Sequence, residues 1–367
     1  MSLHGQGQAA MKANGFTLVE LLVACLMVAA LGAAVAVVVP PVRALVATAP
    51  VAGELAARLR FGLERLTRDL RTAGAGPLPA AWPAVEPWLD AGRIVGVTIR
   101  RVPAGAPLAR LAQPAVPGGL LVLAATGGCA AAASTCGFAP GDDILVTDGT
   151  AHFVFATVSA VYTTPARLAT TVPLGDTFGA GAVVTLLERV TYRVEPEDGL
   201  LTLTRAEGAA SPQPVADHLR ALDITLLAAA DAPALESSTR LASFGPPPPL
   251  PGMNDARDSW PAGENCVFAT AEGVVVPRLG ALGPGSTLVG LAPAWVADGP
   301  WCPDVAMAAA FDADLLRVRA VRVRMRLAPV EATLSADDAA GQGRAGVVAA
   351  ALHDVEAQVT VSLRSRP

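Results

Sequence analysis

The chain opens with a long apolar run, continues with a helical pattern and then changes to short alternating segments. Residues 16–39 contain a single ionisable side chain, Glu20. At ~1.5 Å rise per residue, a helix of this length crosses a ~30 Å hydrocarbon core, so we predict one transmembrane helix. A secretory signal peptide is the alternative, but its apolar region is only about 7 to 15 residues long and ends at a small-x-small cleavage site.

The segment 40–74 is predicted to be an amphipathic extension of this helix. Pro40 and Pro41 lack an N–H, so we expect them to kink the helix or to end its first part. Beyond them, apolar residues recur at spacings of three and four, which predicts one buried stripe. The members of this stripe are Leu55, Leu59, Leu63, Leu66, Leu70 and Ala73. Gly74 and Gly76 with Pro77 should end the helix.

The rest of the chain, 75–367, is predicted to be a β-rich domain. Short β-prone runs favour strands, and they occupy 94–100, 120–124, 144–147, 152–158, 183–194, 200–205 and 359–364. Residues 215–227 are expected to hold a short helix followed by a strand. The proline-rich stretch 244–263 is expected to be a loop. We expect two lobes on one continuous sheet system rather than two independent domains.

Five arginines near the C-terminus alternate with apolar residues, which predicts a strand with one charged and one buried face. They are Arg317, Arg319, Arg322, Arg324 and Arg326. A β-bulge at Ala320–Val321 would put all five on one face. Such a face could be a basic surface for an acidic subunit or for DNA, but a solvated sheet face is the favoured interpretation.

Composition and charge narrow the class of protein. With 52% hydrophobic and 16% charged residues, the 367-residue chain is too apolar to be disordered. Its net charge of -5 argues against nucleic acid as a partner. Since only one segment is long and apolar enough to span a bilayer, a multi-span membrane protein is excluded.

The five cysteines suggest disulfides rather than a metal site. Cys25 lies in the apolar run and is interpreted as a small apolar residue. The other four are Cys129, Cys136, Cys266 and Cys302. Pairing 129 with 136 and 266 with 302 is one of three possible connectivities, and disulfides persist outside the cytoplasm. A four-cysteine zinc site is disfavoured because the CxxC spacing is absent.

No catalytic constellation is evident, so we expect no enzymatic activity and no cofactor or metal. The four histidines, His4, His152, His218 and His353, have neither metal nor triad spacing. The pairs Asp142–Asp143 and Asp312–Asp314 could bind calcium, but neither has the spacing of an EF-hand loop. Solvated turn carboxylates are the favoured interpretation.

Glu20 is the informative residue of the membrane run. A carboxylate inside a bilayer costs several kcal/mol unless it is paired or neutralised. If the chain were cut between Gly15 and Phe16, the new amine would lie four residues before Glu20, on the same helix face. The two charges could pair within one chain or between neighbouring chains, and the second possibility would promote ordered assembly.

The run from Gly15 to Val23, Gly-Phe-Thr-Leu-Val-Glu-Leu-Leu-Val, resembles the class III leader of type IV prepilins and pseudopilins. The resemblance implies that a prepilin peptidase removes residues 1–15 and N-methylates Phe16. It also implies that Glu20 neutralises the Phe16 amine of an adjacent subunit, and that the helix binds other major or minor pilins. Translation from Met1 or from Met11 would give the same mature chain.

Later segments are similar to the PilW family of minor type IV pilins. They are 69–74, 140–146, 190–194, 203–205, 215–217 and 360–364. This similarity implies an α+β, pilin-like fold, with a long N-terminal helix packed on a mainly antiparallel sheet. It also implies a non-catalytic subunit of the inner membrane that joins an assembly platform and then initiates or caps a pilus.

Two alternatives remain open. One is a pseudopilin of type II secretion, which carries the same kind of leader. The other is a membrane-anchored adhesin or ligand-binding protein whose helix never enters a filament. Replacing Glu20 should separate them, because a plain anchor does not need the acid.

Overall fold

A computed structural model describes most of the chain after its first sixteen residues. The described residues are 17–79, 82–124, 136–148, 153–163, 165–175, 177–197, 200–233, 260–261, 263–284, 287–302, 310–328 and 354–363. They divide into two compact units. The first contains residues 17–54, and the second contains the other described residues.

In the described residues, one α-helix, α1, runs from Leu18 to Arg71, and eighteen strands follow it. In chain order the strands are β1 Val85–Asp90, β2 Arg93–Arg101, β3 Leu108–Arg110, β4 Leu121–Val122, β5 Asp143–Thr147, β6 Phe153–Thr163, β7 Ala166–Thr170, β8 Val183–Leu186, β9 Glu188–Glu197, β10 Leu200–Glu207, β11 Gln213–Ala229, β12 Phe268–Ala271, β13 Val274–Pro277, β14 Leu288–Gly290, β15 Trp301–Cys302, β16 Phe311–Asp312, β17 Val318–Leu327 and β18 Val355–Ser362. Two short 3-10 helices cover Pro293–Val296 and Ala313–Arg317.

The larger sheet has eight antiparallel strands. Its order is β1-β2-β9-β10-β11-β17-β18, and β14 pairs with the end of β11. One face of this sheet is apolar because alternate residues of each strand point to the same side. These residues share a core with the apolar stripe of α1, from Leu55 to Ala73. Gly62 allows close approach, since a Cβ there would lie 3.2 Å from Ala216 Cβ.

A second, six-stranded sheet follows the order β3-β8-β5-β6-β7-β4. It encloses its own core, which includes Phe138, Ile144, Leu168 and Phe178. Strand β6 links the two cores, because its Phe153 and Phe155 turn towards the first core. There they meet Trp82 in edge-to-face contacts, with ring centroids 5.7 and 4.6 Å away.

The expected α+β, pilin-like fold class is wrong. The structure is mostly antiparallel sheet, with 46% strand against 21% helix. The strands form two large sheets with separate cores, and two small two-stranded sheets, instead of one continuous system. The helix does not organise the second core at all, because short β segments between glycines and prolines bury one another there.

Several local predictions also need correction. Residues 215–227 form no helix, since all of them belong to the 17-residue strand β11. The run 183–194 is two strands, β8 and β9, which belong to different sheets. Helix α1 continues through positions 40 and 41, so the two prolines do not end it, and the alternative, a kink at these positions, stays a prediction. Most of the proline-rich stretch 244–263 lies outside the described residues.

Candidate functional site

The N-terminus of α1 carries a reciprocal hydrogen-bond pattern between Thr17 and Glu20. The backbone N–H of Thr17 and its hydroxyl donate to Glu20 Oε2 at 3.0 and 3.1 Å, and the N–H of Glu20 donates to Thr17 Oγ1 at 3.3 Å. This is a capping box, which satisfies backbone donors that have no partner in the first helical turn. The T-x-x-E spacing was visible in the sequence and was missed there.

This capping box gives Glu20 a partner within its own chain. The acid therefore has a structural role at the helix start that needs no second subunit. Gly15 and Phe16, the predicted cleavage site, lie outside the described residues. The predicted contact between Glu20 and an N-terminal amine stays a prediction.

The first unit exposes an apolar helical surface. Within the described part of the chain, Leu18–Val39 is the one helix long and apolar enough to cross a membrane. Its leucine and valine side chains are exposed, for example Leu18 and Val37. A single-pass anchor and an N-terminal signal sequence both have this character.

The last turn of α1 contributes a buried acid to the larger sheet. Asp69 Oδ2 accepts hydrogen bonds from Tyr192 Oη and Arg205 Nε, both at 2.8 Å, and Oδ1 accepts one from Arg101 at 3.3 Å. Arg101 also pairs with Glu188 on β9. One carboxylate thus connects α1 with β2, β9 and β10, in a region where the sequence suggested only a helix terminus.

The partners of Asp69 determine its ionisation. Burial acts to raise the pKa of Asp69, but the hydrogen bonds from Arg205 and Tyr192 outweigh it and hold the pKa below its ordinary value. The pKa of Tyr192 is raised by burial and by the neighbouring Asp69 charge. Both groups therefore stay in the forms that the hydrogen bond needs: Asp69 as a carboxylate and Tyr192 as a neutral phenol.

The five predicted surface arginines do not share one face. Arg317 lies in a 3-10 helix and is only 1% exposed. Arg319 is half-buried and donates to the carbonyls of Leu316 and Val318. The register between β11 and β17 shifts at this residue, one position before the predicted bulge.

Only Arg322, Arg324 and Arg326 lie along the solvent face of β17. Arg324 forms two hydrogen bonds with Glu356 on β18, at 2.6 and 3.0 Å, and Arg326 lies 3.7 Å from Asp354. On the other side, Asp223 of β11 is directly opposite Arg324. Acidic residues on both neighbouring strands therefore accompany the arginines.

A group of carboxylates surrounds the start of the second 3-10 helix. Oxygens of Asp298, Asp312 and Asp314 lie within 4.8 Å of one another. Asp312 accepts backbone N–H groups from Gly299 at 2.7 Å and from Asp314 at 2.9 Å. Burial raises the pKa of Asp312 to about 6, and these two hydrogen bonds offset only part of the effect. The prediction of solvated turn carboxylates is wrong for Asp312 and Asp314, which are buried.

Arg317 holds this region together. It forms an ion pair with Asp314 at 3.2 Å, and its Nη atoms also reach four backbone carbonyls. Those carbonyls belong to Gly280, Ala229, Ala230 and Asp231. Protein donors thus occupy both oxygens of Asp312 and one oxygen of Asp314. These two buried acids have a structural role, in which Arg317 supplies the positive charge.

The cysteines are oxidised where the structure describes them outside the membrane run. Cys266 and Cys302, which are 36 residues apart, form a disulfide. This pair belongs to the predicted connectivity of 129 with 136 and 266 with 302. Cys136 is also disulfide-bonded, while Cys129 lies outside the described residues. Cys25 is a free, exposed thiol on α1.

A shallow cavity of about 320 Å³ lies between α1 and the β10–β11 connection. Phe61, Arg65, Glu207 and Gln213 are among its lining residues, and Glu207 pairs with Arg205 at 2.6 Å. The lining contains no histidine or cysteine in the part of the chain that the structure describes. Its charged groups are engaged with each other rather than arranged around a nucleophile.

Comparison with known proteins adds no relative. No family model matches this chain, and no curated protein is significantly similar to it. The functional argument therefore depends on the residues themselves.

Proposed function

We propose that this protein is a non-catalytic, membrane-anchored assembly subunit that is processed like a type IV prepilin and acts as a PilW-like minor pilin. The observation that supports this proposal is the junction at the start of α1. A Gly15–Phe16 step stands immediately before the apolar helix, and Glu20 is the single acid within it.

The physics of that junction suits assembly. An exposed apolar helix leaves lipid at little cost when it enters a bundle of similar helices, because both surroundings are apolar. The charge of Glu20 is unfavourable in lipid, and pairing with a positive group lowers its free energy there. Cleavage after Gly15 would supply such a partner as the amine of Phe16, in the same or in a neighbouring subunit.

The proposal includes the location and the partners. The helix anchors the chain in the inner membrane, and the β-rich unit lies outside the cytoplasm, where the Cys266–Cys302 disulfide persists. Prepilin peptidase, the assembly platform and other pilins are its partners. The size of the β-rich unit favours a position at the tip of a pilus, in few copies.

The test is mass spectrometry of the sheared surface fraction of the native cell. We expect a chain whose N-terminus is Phe16, with or without a methyl group. A mature chain that co-purifies with secretion components and is absent from surface filaments would favour the type II secretion pseudopilin. An intact leader on the membrane-bound protein would refute both.

One observation favours the simpler anchor as a second candidate. Because Glu20 caps its own helix through Thr17, an acid at this position stabilises the helix start even in a protein that never joins a filament. A membrane-anchored adhesin or binding protein would keep this cap, and only its outer unit would act.

A further inference from the structure

The larger sheet ends at a strand whose outer edge has no partner among the described residues. β18 is last in the strand order, and among the strands of the described ranges it pairs with β17 alone. The N–H of Leu363 donates to the carbonyl of Arg319 at 2.9 Å, which fixes the direction in which alternate backbone groups point. The N–H and C=O groups of Glu356, Gln358 and Thr360 therefore face away from β17.

The apolar side of this strand is incompletely covered. Val355, Ala357 and Val359 pack against the main core and remain only half-buried. On β17, one strand further in, Val323 and Met325 are completely buried. One more strand beside β18 would bury its three apolar residues in the same way.

The two ends of the sheet differ in how they are protected. β1, at the opposite end, contains Pro87 and a register shift between Trp88 and Leu89. Proline and bulges are the usual devices that prevent strand addition. β18 has no proline, and its register with β17 is regular over eight residues. A head-to-tail array of this chain would have to use the blocked edge of β1, so the open edge suits a strand from a different protein.

The charged side chains of β18 and of the residue before it indicate which side chains an added strand would carry. In the described stretch 354–363 the charged residues are Asp354 and Glu356, both acidic. Arg324 occupies two acceptor sites of Glu356, and a carboxylate has about four. β17 already shows the matching pattern on the inner side: Arg326 lies opposite Glu356, Arg324 hydrogen-bonds to Glu356 from the position opposite Gln358, and the apolar residues of β17 face the core.

We propose that the open edge of β18 binds an extended segment of another protein by strand addition. The segment has apolar side chains at every second position and an arginine or lysine opposite Glu356. Backbone hydrogen bonds provide the affinity, and the alternating side chains provide the specificity. This inference is independent of the proposed function, because it uses neither the leader nor the membrane helix.

The probe for the test is a fluorescent peptide with the sequence of residues 318–327, in which residues 321–327 have the required alternation. It is titrated into the full-length protein in detergent micelles and followed by anisotropy. We expect saturable binding to the wild-type chain. Gln358→Pro removes one outward N–H and should weaken binding about tenfold or more, which corresponds to at least one lost hydrogen bond.

Gln358→Thr is the matched control, because it keeps the N–H and suits a strand; it should bind the peptide like the wild type. Since the N–H of Gln358 makes no bond to β17, both variants should unfold at nearly the wild-type temperature. Equal binding by Gln358→Pro, or no binding by the wild type, would refute the proposal. A wild-type dimer that Gln358→Pro converts to a monomer would refute it too, because a second copy would then occupy the edge.

Discussion

The hydroxyl of Tyr192 on β9 donates a 2.8 Å hydrogen bond to Asp69 in the last turn of α1, across 123 residues of sequence. Arg205 of β10 donates to the same oxygen at the same distance. Asp69 is only 3% exposed, so its charge depends on these partners. The bonds fix the rotation of the last helical turn relative to three strands, which apolar packing alone would specify less strictly.

Asp69→Ala should therefore destabilise the β-rich unit far more than Tyr192→Phe. Removing the acid leaves Arg101 and Arg205 partly buried near an empty position, which costs about 3 kcal/mol or more. Tyr192→Phe keeps the acid and both arginines and removes one donor, at about 1 to 2 kcal/mol. Urea unfolding of the detergent-solubilised chain measures both. Equal losses in the two variants would show that the hydroxyl of Tyr192, and not the pairing of Asp69 with the two arginines, accounts for the stability of this junction.

Asp312 should make the stability of the protein depend on pH in the opposite sense to an ordinary paired acid. Its pKa is raised from 3.8 to about 6, so between these values the folded chain binds more protons than the unfolded chain. Stability from this group is present below pH 3.8 and is lost as the pH rises to about 6. The loss is at most about 3 kcal/mol, since one pKa unit is worth 1.36 kcal/mol.

Asp312→Asn removes this contribution, while acids remote from the Asp298–Asp312–Asp314 group titrate alike in both proteins. We expect the unfolding free energy of the wild type minus that of the variant to fall between pH 4 and pH 7. The size of this free-energy difference at any one pH is not the test. It also contains the loss of a hydrogen bond, since an amide cannot accept both N–H groups that the carboxylate accepts. A difference that stays constant across this range would contradict the raised pKa.

The Cys266–Cys302 disulfide should contribute strongly to stability. It closes a loop across 36 residues, and the loop-entropy relation gives about 4 kcal/mol for such a crosslink. Replacing both cysteines by serine should lower the denaturant midpoint and leave that variant insensitive to reductant at this loop. Cys25→Ser is the control and should change nothing, because that thiol is free and exposed. A double variant as stable as the wild type would mean that the native packing of Phe268 and Phe311 suffices.

The sequence predicted elements well where one periodicity dominated. The stripe from Leu55 to Ala73 repeats every three or four residues, and it is buried as expected. Residues 215–227 were ambiguous, because their apolar positions fit both a helix and a strand. Pairing of β11 with β10 and β17 on its two sides decided in favour of the strand. Such neighbours are remote in sequence, so no local pattern could reveal them.

The candidate sites were predicted less well, because burial of charge depends on tertiary partners. Arg317 follows the same alternation as Arg322, yet a 3-10 helix turns it inward to four carbonyls and Asp314. The role of Asp69 required two arginines and a tyrosine from other strands. The Thr17–Glu20 cap, in contrast, is a purely local motif whose T-x-x-E spacing can be read from the sequence alone.

Thr17 and Glu20 provide the sharpest test of the proposed function, since capping and charge can be removed separately. Glu20→Gln keeps a capping box, because glutamine serves at this position, but it eliminates the negative charge. Thr17→Val keeps the charge and removes the cap, at about 1 kcal/mol of helix stability. If Glu20 acts on an N-terminal amine during assembly, Glu20→Gln should abolish delivery to the sheared surface fraction and Thr17→Val should not.

The readout is the amount of mature chain in the surface fraction relative to the membrane fraction, determined by immunoblotting. Membrane levels of both variants must match the wild type, which shows that neither change acts through degradation. If the cap is the essential feature, the pattern reverses, and Thr17→Val is the defective variant. If neither change affects the distribution, the acid serves neither assembly nor helix initiation, and the chain behaves as a plain membrane anchor. The two substitutions lie within one helical turn. One removes the charge and the other removes the cap of the same hydrogen-bonded pair. General effects of changing the helix start are therefore common to both variants.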